Sequence, residues 1–177
     1  MKKLLFLIVF IISLFVISCG SSGEVQKPTL SMVLNAGVDT VEVYTSYQDP
    51  GAVAYYGTNL VATTKTSNVD VTKVGSYEVT YKATYNGETI SKVRKVEVVD
   101  TVAPEATINA GVDTIFVGDK WNDAGVFASD NSRLDPTVVV SGSVDTNTAG
   151  EYIITYTVKD SSNNETIVKR YVNVLEK

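Results

Sequence analysis

The sequence has no histidine and a single cysteine in 177 residues. Without histidine the chain lacks the commonest general base and the commonest transition-metal ligand. One cysteine excludes any disulfide within the chain. Basic residues are also few, with 15 Lys and Arg against 20 Asp and Glu, a formal net charge of −5. The only charges before Cys19 are Lys2 and Lys3, so a chain starting at Cys19 carries 13 basic and 20 acidic residues, or 13 − 20 = −7. A nucleic-acid binder needs a basic face to neutralise phosphates, and this composition excludes one. There is no Gly-x-Ser-x-Gly elbow and no phosphate-binding loop. No stretch after Cys19 shows a helical period.

What is present begins with an apolar run. Lys2 and Lys3 precede residues 4–17, which are apolar except for Ser13, and Ser18, Cys19, Gly20, Ser21, Ser22 and Gly23 follow at once. The run is shorter than the roughly 20 residues of a spanning helix. Its layout is that of a secretory signal peptide, residues 1–18. Val16-Ile17-Ser18-Cys19 resembles the lipobox of bacterial lipoproteins. That resemblance implies that Cys19 becomes the first mature residue and carries acyl chains that hold it to a membrane. At roughly 0.8 kcal/mol per buried methylene, more than one chain gives stable anchoring. Residues 19–27, polar and rich in Gly and Ser, read as the lipidated Cys and a flexible tether.

The rest is a duplication. Asn35-Ala36-Gly37-Val38-Asp39-Thr40 recurs as Asn109-Ala110-Gly111-Val112-Asp113-Thr114, at an offset of 74 residues. Tyr47 pairs with Trp121 and Asp49 with Asp123 at the same offset; the Gly75-Ser76-Tyr77 and Gly150-Glu151-Tyr152 steps match at 75, and Val96 and Val98 match Val172 and Val174 at 76. Repeat 1 spans residues 28–99, a linker 100–103, and repeat 2 residues 104–177. Two copies are too few for a solenoid, so each must hold its own core.

Period two dominates both repeats. Tyr152, Ile154, Tyr156 and Val158 alternate with Ile153, Thr155, Thr157 and Lys159, as do Tyr77, Val79, Tyr81 and Ala83 with Glu78, Thr80, Lys82 and Thr84. This is the pattern of half-buried antiparallel strands. Further strands are expected at 106–109, 114–117, 137–141 and 166–175, divided by Gly, Asn, Asp and Ser clusters. The pattern predicts an all-β chain of two tandem antiparallel β-sandwiches behind an N-terminal signal segment. Tyr77 and Tyr152 each stand two residues before an aliphatic residue where an immunoglobulin domain has its second Cys. They read either as tyrosine corners or as plain core tyrosines. The short linker, with Pro104 holding Ala103 extended, predicts repeats standing end to end with limited bending. At about 72 residues and without a disulfide, each is expected to be modestly stable.

One run carries a family resemblance. It starts at Asp113-Thr114-Ile115 and Trp121-Asn122-Asp123-Ala124-Gly125-Val126-Phe127-Ala128-Ser129-Asp130-Asn131. It continues through residues 142–152 and Tyr156-Thr157-Val158-Lys159-Asp160. It resembles the bacterial surface immunoglobulin-like family, also found as repeats in some pesticidal crystal proteins, over nearly all of repeat 2. Repeat 1 matches more loosely: Tyr55-Tyr56 replaces Ser129-Asp130, and the turn at 160–164 shrinks to Asn86-Gly87. The resemblance implies an immunoglobulin-like fold and extracellular display, with no catalytic residues to carry over.

Candidate sites are few. Asp119 and Asp123 are the nearest thing to a catalytic carboxylate pair, set against a reading as solvated loop carboxylates. Residues 104–175 of repeat 2 hold ten acidic and five basic residues where repeat 1 has seven and six. If the loops carrying Asp119, Asp123, Asp130 and Asp135 converge at one end, their oxygens suit Ca²⁺; otherwise they form a solubilising acidic end. No other cofactor is implied. Tyr44, Tyr55, Tyr56 and Tyr85 face Gly118, Ser129, Asp130 and roughly Asp160 in repeat 2. Such positions are expected on the surface, where tyrosines serve either as a ligand patch or as scattered surface residues.

The sequence therefore points to a non-enzymatic lipoprotein on the extracytoplasmic face or cell surface. It is held to the membrane by lipid on Cys19 and displays two immunoglobulin-like domains to bind an extracellular protein or polysaccharide. The rival readings are a structural spacer or envelope component without a ligand, and a carbohydrate-active accessory protein. A single contiguous tyrosine patch would favour binding; scattered tyrosines would favour the spacer.

Overall fold

The computed structural model describes residues 27–177 and contains thirteen strands among them, with no helix. The signal segment and Cys19 lie outside the described residues. Repeat 1 holds seven strands: β1 (Leu30–Leu34), β2 (Thr40–Glu42), β3 (Ala52–Tyr56), β4 (Asn59–Val61), β5 (Thr63–Ser67), β6 (Gly75–Tyr85) and β7 (Glu88–Val99). They form one sheet in the order β1-β3-β4 and a second in the order β2-β7-β6-β5. Repeat 2 holds β8 (Glu105–Ile108), β9 (Thr114–Phe116), β10 (Val126–Ser129), β11 (Thr137–Ser141), β12 (Gly150–Lys159) and β13 (Glu165–Leu175). Its sheets run β10-β8 and β11-β12-β13-β9. Repeat 2 has no counterpart of β4; the turn at 130–133 stands there instead.

The alternation in the sequence becomes the two faces of the larger sheets. Val79, Tyr81 and Ala83 of β6 are buried with Met32, Ala54 and Val96. Ile154, Tyr156 and Val158 of β12 are buried, as are Ile115, Val172 and Val174. Each fully buried aliphatic side chain contributes roughly 1.5–3 kcal/mol, so each repeat owns a small core of its own. The long hairpins β6–β7 and β12–β13 are antiparallel through ten or more pairs.

Not every pairing is antiparallel. β2 runs parallel to the end of β7, and β9 parallel to the end of β13. The cause is the duplicated stretch. After β1 or β8 the chain crosses from the small sheet to the large one through residues 35–39 or 109–113. It then joins the edge next to the repeat's own last strand, in the same direction.

Both Gly-x-Tyr steps are tyrosine corners. The Tyr77 hydroxyl donates to the Lys73 carbonyl at 2.8 Å, and the Tyr152 hydroxyl to the Thr148 carbonyl at 2.8 Å.

Candidate functional site

The place where β7 hands over to β8 holds an unusual concentration of carboxylates. Asp100 directly follows β7, Asp130 follows β10, and Asp160 follows β12. One carboxylate oxygen from each lies within 4.8 Å of the others. Asp100 and Asp160 are buried, Asp100 to 6% exposure. Each turn holds its own acid by local donors. Ser132 N–H and hydroxyl donate to Asp130, the former at 2.8 Å, and the N–H groups of Ser162 and Asn164 donate to Asp160 at 2.8 Å each. Asn164 Nδ2 ties the turn to the linker by donating to the Asp100 carbonyl at 3.0 Å and the Asp160 carboxylate at 2.7 Å.

Two oxygens in the cluster, Asp100 Oδ1 and Asp130 Oδ2, are shielded and receive no hydrogen bond. None of the three acids is in a salt bridge; the ion pairs among the described residues lie elsewhere. Burial, with the charges of Asp130 and Asp160 beside it, pushes the Asp100 carboxyl above the usual aspartate range. Like charges about 5 Å apart repel by roughly 3 kcal/mol per pair at an effective dielectric near 20.

Contacts from repeat 1 close the junction. Glu42 accepts from Thr101 N–H and hydroxyl, both at 2.9 Å, and from Asn131 Nδ2 at 3.3 Å. Burial would raise the Glu42 carboxyl, but the donors from Thr101 and Asn131 outweigh it and hold it below the usual range. The Arg133 guanidinium stands 4.3 Å from the centre of the Tyr44 ring, a cation–π contact between the repeats. Tyr44 sits in the left-handed region at φ 58°.

A second constellation occurs twice, inside each sandwich. In repeat 2, Arg170 of β13 is buried, donating from Nη1 to Asp113 at 2.6 Å and from Nη2 to the Asn109 carbonyl at 2.6 Å. Its Nε lies 3.3 Å from the Tyr156 hydroxyl, which donates to Asp123. In repeat 1, Arg94 donates to Asp39 at 2.6 Å and to the Asn35 carbonyl, and Tyr81 donates to Asp49. Burial would lower both guanidinium pKa values, but the Asp39 and Asp113 partners outweigh it and raise them. Burial, reinforced by the hydrogen bond to the neighbouring Asp, raises both tyrosines.

This clasp accounts for the Asn, Gly and Asp of the duplicated stretch. Asn35 and Asn109 bridge through Nδ2 to the carbonyls of Pro50 and Ala124, at 2.7 and 2.9 Å. A Cβ on Gly37 would stand 1.9 Å from Pro50 Cγ, and one on Gly111 2.9 Å from both Ala124 Cβ and Arg170 Nη1. Asp39 and Asp113 take the arginine. With its polar groups facing one another, save Arg94 Nε in repeat 1, which has no partner, the clasp is a structural device.

A family model described as "Bacterial surface protein, Ig-like domain" matches residues 36–98 and again residues 109–174. The chain belongs to that family. No curated protein matches its sequence.

The four tyrosines do not converge on these Ig-like domains. Tyr56 and Tyr85 pair at 4.8 Å between ring centres. They sit at the end of repeat 1 that the chain enters, where Gly57 packs on Pro28. Tyr44 is at the opposite end, in the junction. Tyr55 is half-buried and pairs with Ser31 and Leu60 across its sheet. Nor are the four aspartates brought together. Asp119 accepts from Phe116 N–H at 3.1 Å and lies 3.7 Å from Lys177 Nζ. Asp123 belongs to the clasp, and Asp135 is exposed outside the junction cluster. Only Asp130 enters that cluster.

Sequence reasoning missed Asp100, Asp160, Arg94 and Arg170. The two arginines carry a signal in the sequence, since they match at the offset of 76 that aligns Val96 with Val172. The two aspartates lie in segments that read only as linker and turn.

Proposed function

We propose that the chain is a non-enzymatic, lipid-anchored surface protein whose two Ig-like domains form a stiff spacer. The observation that carries this reading is the junction. Repeat 1 and the linker engage two separate turns of repeat 2: Glu42 and Tyr44 meet Asn131 and Arg133 in one, and Asp100 meets Ser162 and Asn164 in the other. A hinge has no use for such contacts. The separation of Tyr44 from Tyr56 and Tyr85 supports a spacer over a tyrosine-based binding patch. The family supports display at a bacterial surface, and the Val16-Ile17-Ser18-Cys19 run supports the anchor.

One observation favours adhesion as the second reading. On the outer face of its larger sheet repeat 2 presents Val139 beside Thr157 and Ile167, and Ile153 beside Tyr171. Repeat 1 has Thr64, Lys82, Ser91, Glu78 and Lys95 at those places. Exposed apolar rows suit a protein partner more than a polysaccharide.

Cells making the wild-type chain, Cys19→Ser and Ile153→Lys/Tyr171→Glu separate these readings. The anchor requires that Cys19→Ser leave the membrane fraction for the soluble one; a variant that stays membrane-bound overturns it. Equal adherence of wild-type and double-variant cells to host-surface proteins favours the spacer, and adherence lost in the double variant favours adhesion.

A further inference from the structure

We propose that the junction between the two repeats is a Ca²⁺ site built by Asp100, Asp130 and Asp160, and that the bound ion locks the repeats together. Three observations converge. The carboxylate oxygens meet within 4.8 Å, which is about twice the 2.3–2.6 Å Ca²⁺–oxygen distance and so the widest spacing of two ligands on one ion. Independently of the clustering, Asp100 Oδ1 is buried with no donor, and so is Asp130 Oδ2. A shielded carboxylate oxygen without a donor is costly unless a cation serves it. Finally, among the described residues no Lys or Arg pairs with any of the three. The ligands come from the linker and from two turns of repeat 2, so binding ties the exit of repeat 1 to the near end of its neighbour. Water completes the six to eight ligands that Ca²⁺ takes.

The corresponding place in repeat 1 supports the assignment by contrast. Tyr56 and Tyr85 occupy the positions of Asp130 and Asp160, and their rings pack against one another at a tilt of 37°. The site therefore exists once in the described residues, where one repeat meets the next. It rests on the junction's own geometry and stands whether or not the chain is lipid-anchored or adhesive.

The test uses the full chain in detergent, stripped with EDTA and titrated with CaCl₂ by calorimetry. The expected result is one ion per chain with a Kd of about 10⁻⁴–10⁻³ M, the range of extracellular modules. Asp100→Asn and Asp160→Asn should weaken it about 10-fold or more, and Asp119→Asn and Asp135→Asn should leave it unchanged. Thermal unfolding gives a second readout that does not depend on reading heats. Saturating CaCl₂ should raise the wild-type midpoint by about 5 °C. Asp100→Asn should melt at or above the wild type in EDTA, because a repulsion is relieved, and below it in CaCl₂. Absence of Ca²⁺ binding by the folded wild type overturns the proposal. So does Asp100→Asn binding as tightly as the wild type, or the two melting in the same order with and without Ca²⁺.

Discussion

At the residue scale the protein depends on polar groups placed inside small cores. Arg170 is nearly inaccessible, and its partners are a carboxylate, a tyrosine and backbone carbonyls. Removing one side of such a network leaves the other side unpaired. Arg170→Met is expected to destabilise repeat 2 by about 3 kcal/mol in urea unfolding followed by circular dichroism, and Gly111→Ala to act in the same direction by pressing on the same guanidinium. An Arg170→Met variant as stable as the wild type would show the clasp to be dispensable. Asp49 adds a pH dependence. Burial would raise its carboxyl, but hydrogen bonds from Lys65, Tyr81 and Gly51 N–H, with the Lys65 charge, outweigh that and hold it below the aspartate reference of 3.8. A depressed folded pKa contributes stability that is complete well above the unfolded value and lost as pH falls through the folded one. The midpoint of repeat 1 is therefore expected to fall as pH drops from about 5 through 4 and below, and less steeply in Asp49→Asn. A flat wild-type profile across that window would remove Asp49 from the account.

At the element scale, the strands were legible and the contacts of their ends were not. Alternation places β12 and β13 within a residue or two of their observed limits, because burial on one face of a sheet is written directly as period two. The tyrosine corners stood in the sequence as one of two readings, each a Tyr at a fixed step before a core residue, and the hydroxyl-to-carbonyl bonds decide for them. The acidic junction was hidden because Asp100, Asp130 and Asp160 are separated by about 30 residues each, and only the topology places the linker and the two turns side by side. Convergence of Asp119, Asp123, Asp130 and Asp135 fails on the same ground, since closeness in sequence is not closeness in space. β11 carries a prediction of its own. It is an edge strand reading Thr-Val-Val-Val-Ser with all five residues exposed, whereas its counterpart β5 reads Thr-Thr-Lys-Thr-Ser. A bare apolar edge invites pairing with another chain, and a lysine blocks it. Val139→Lys is expected to reduce concentration-dependent self-association in sedimentation velocity without lowering stability; equal association in both proteins would clear this edge.

At the scale of the whole molecule, length follows from strands and joint. β6 runs eleven residues and β12 ten, so each domain is roughly 35 Å long at about 3.4 Å per residue. Spin labels on cysteines replacing Asn86 and Asn147, in a Cys19→Ser background, sit at the two far turns. Their distance distribution is expected to be single and narrow near about 70 Å. A broad or short distribution would mean that the repeats swing or fold back, and the spacer would lose its stiffness.

The parallel pairing of β2 with β7 and of β9 with β13 bears on what happens when such a chain is pulled. A protein fixed at one end and tugged at the other loads its domains along the strand direction. In a hairpin opened from its tip, hydrogen bonds break in succession. In β2–β7 and β9–β13 the first strand of the sheet is drawn one way and the last strand the other, so the bonds bear the load together in shear. Each domain thereby has a mechanical latch between the first and last strands of its larger sheet, and the force that opens it is set by three residue pairs acting at once.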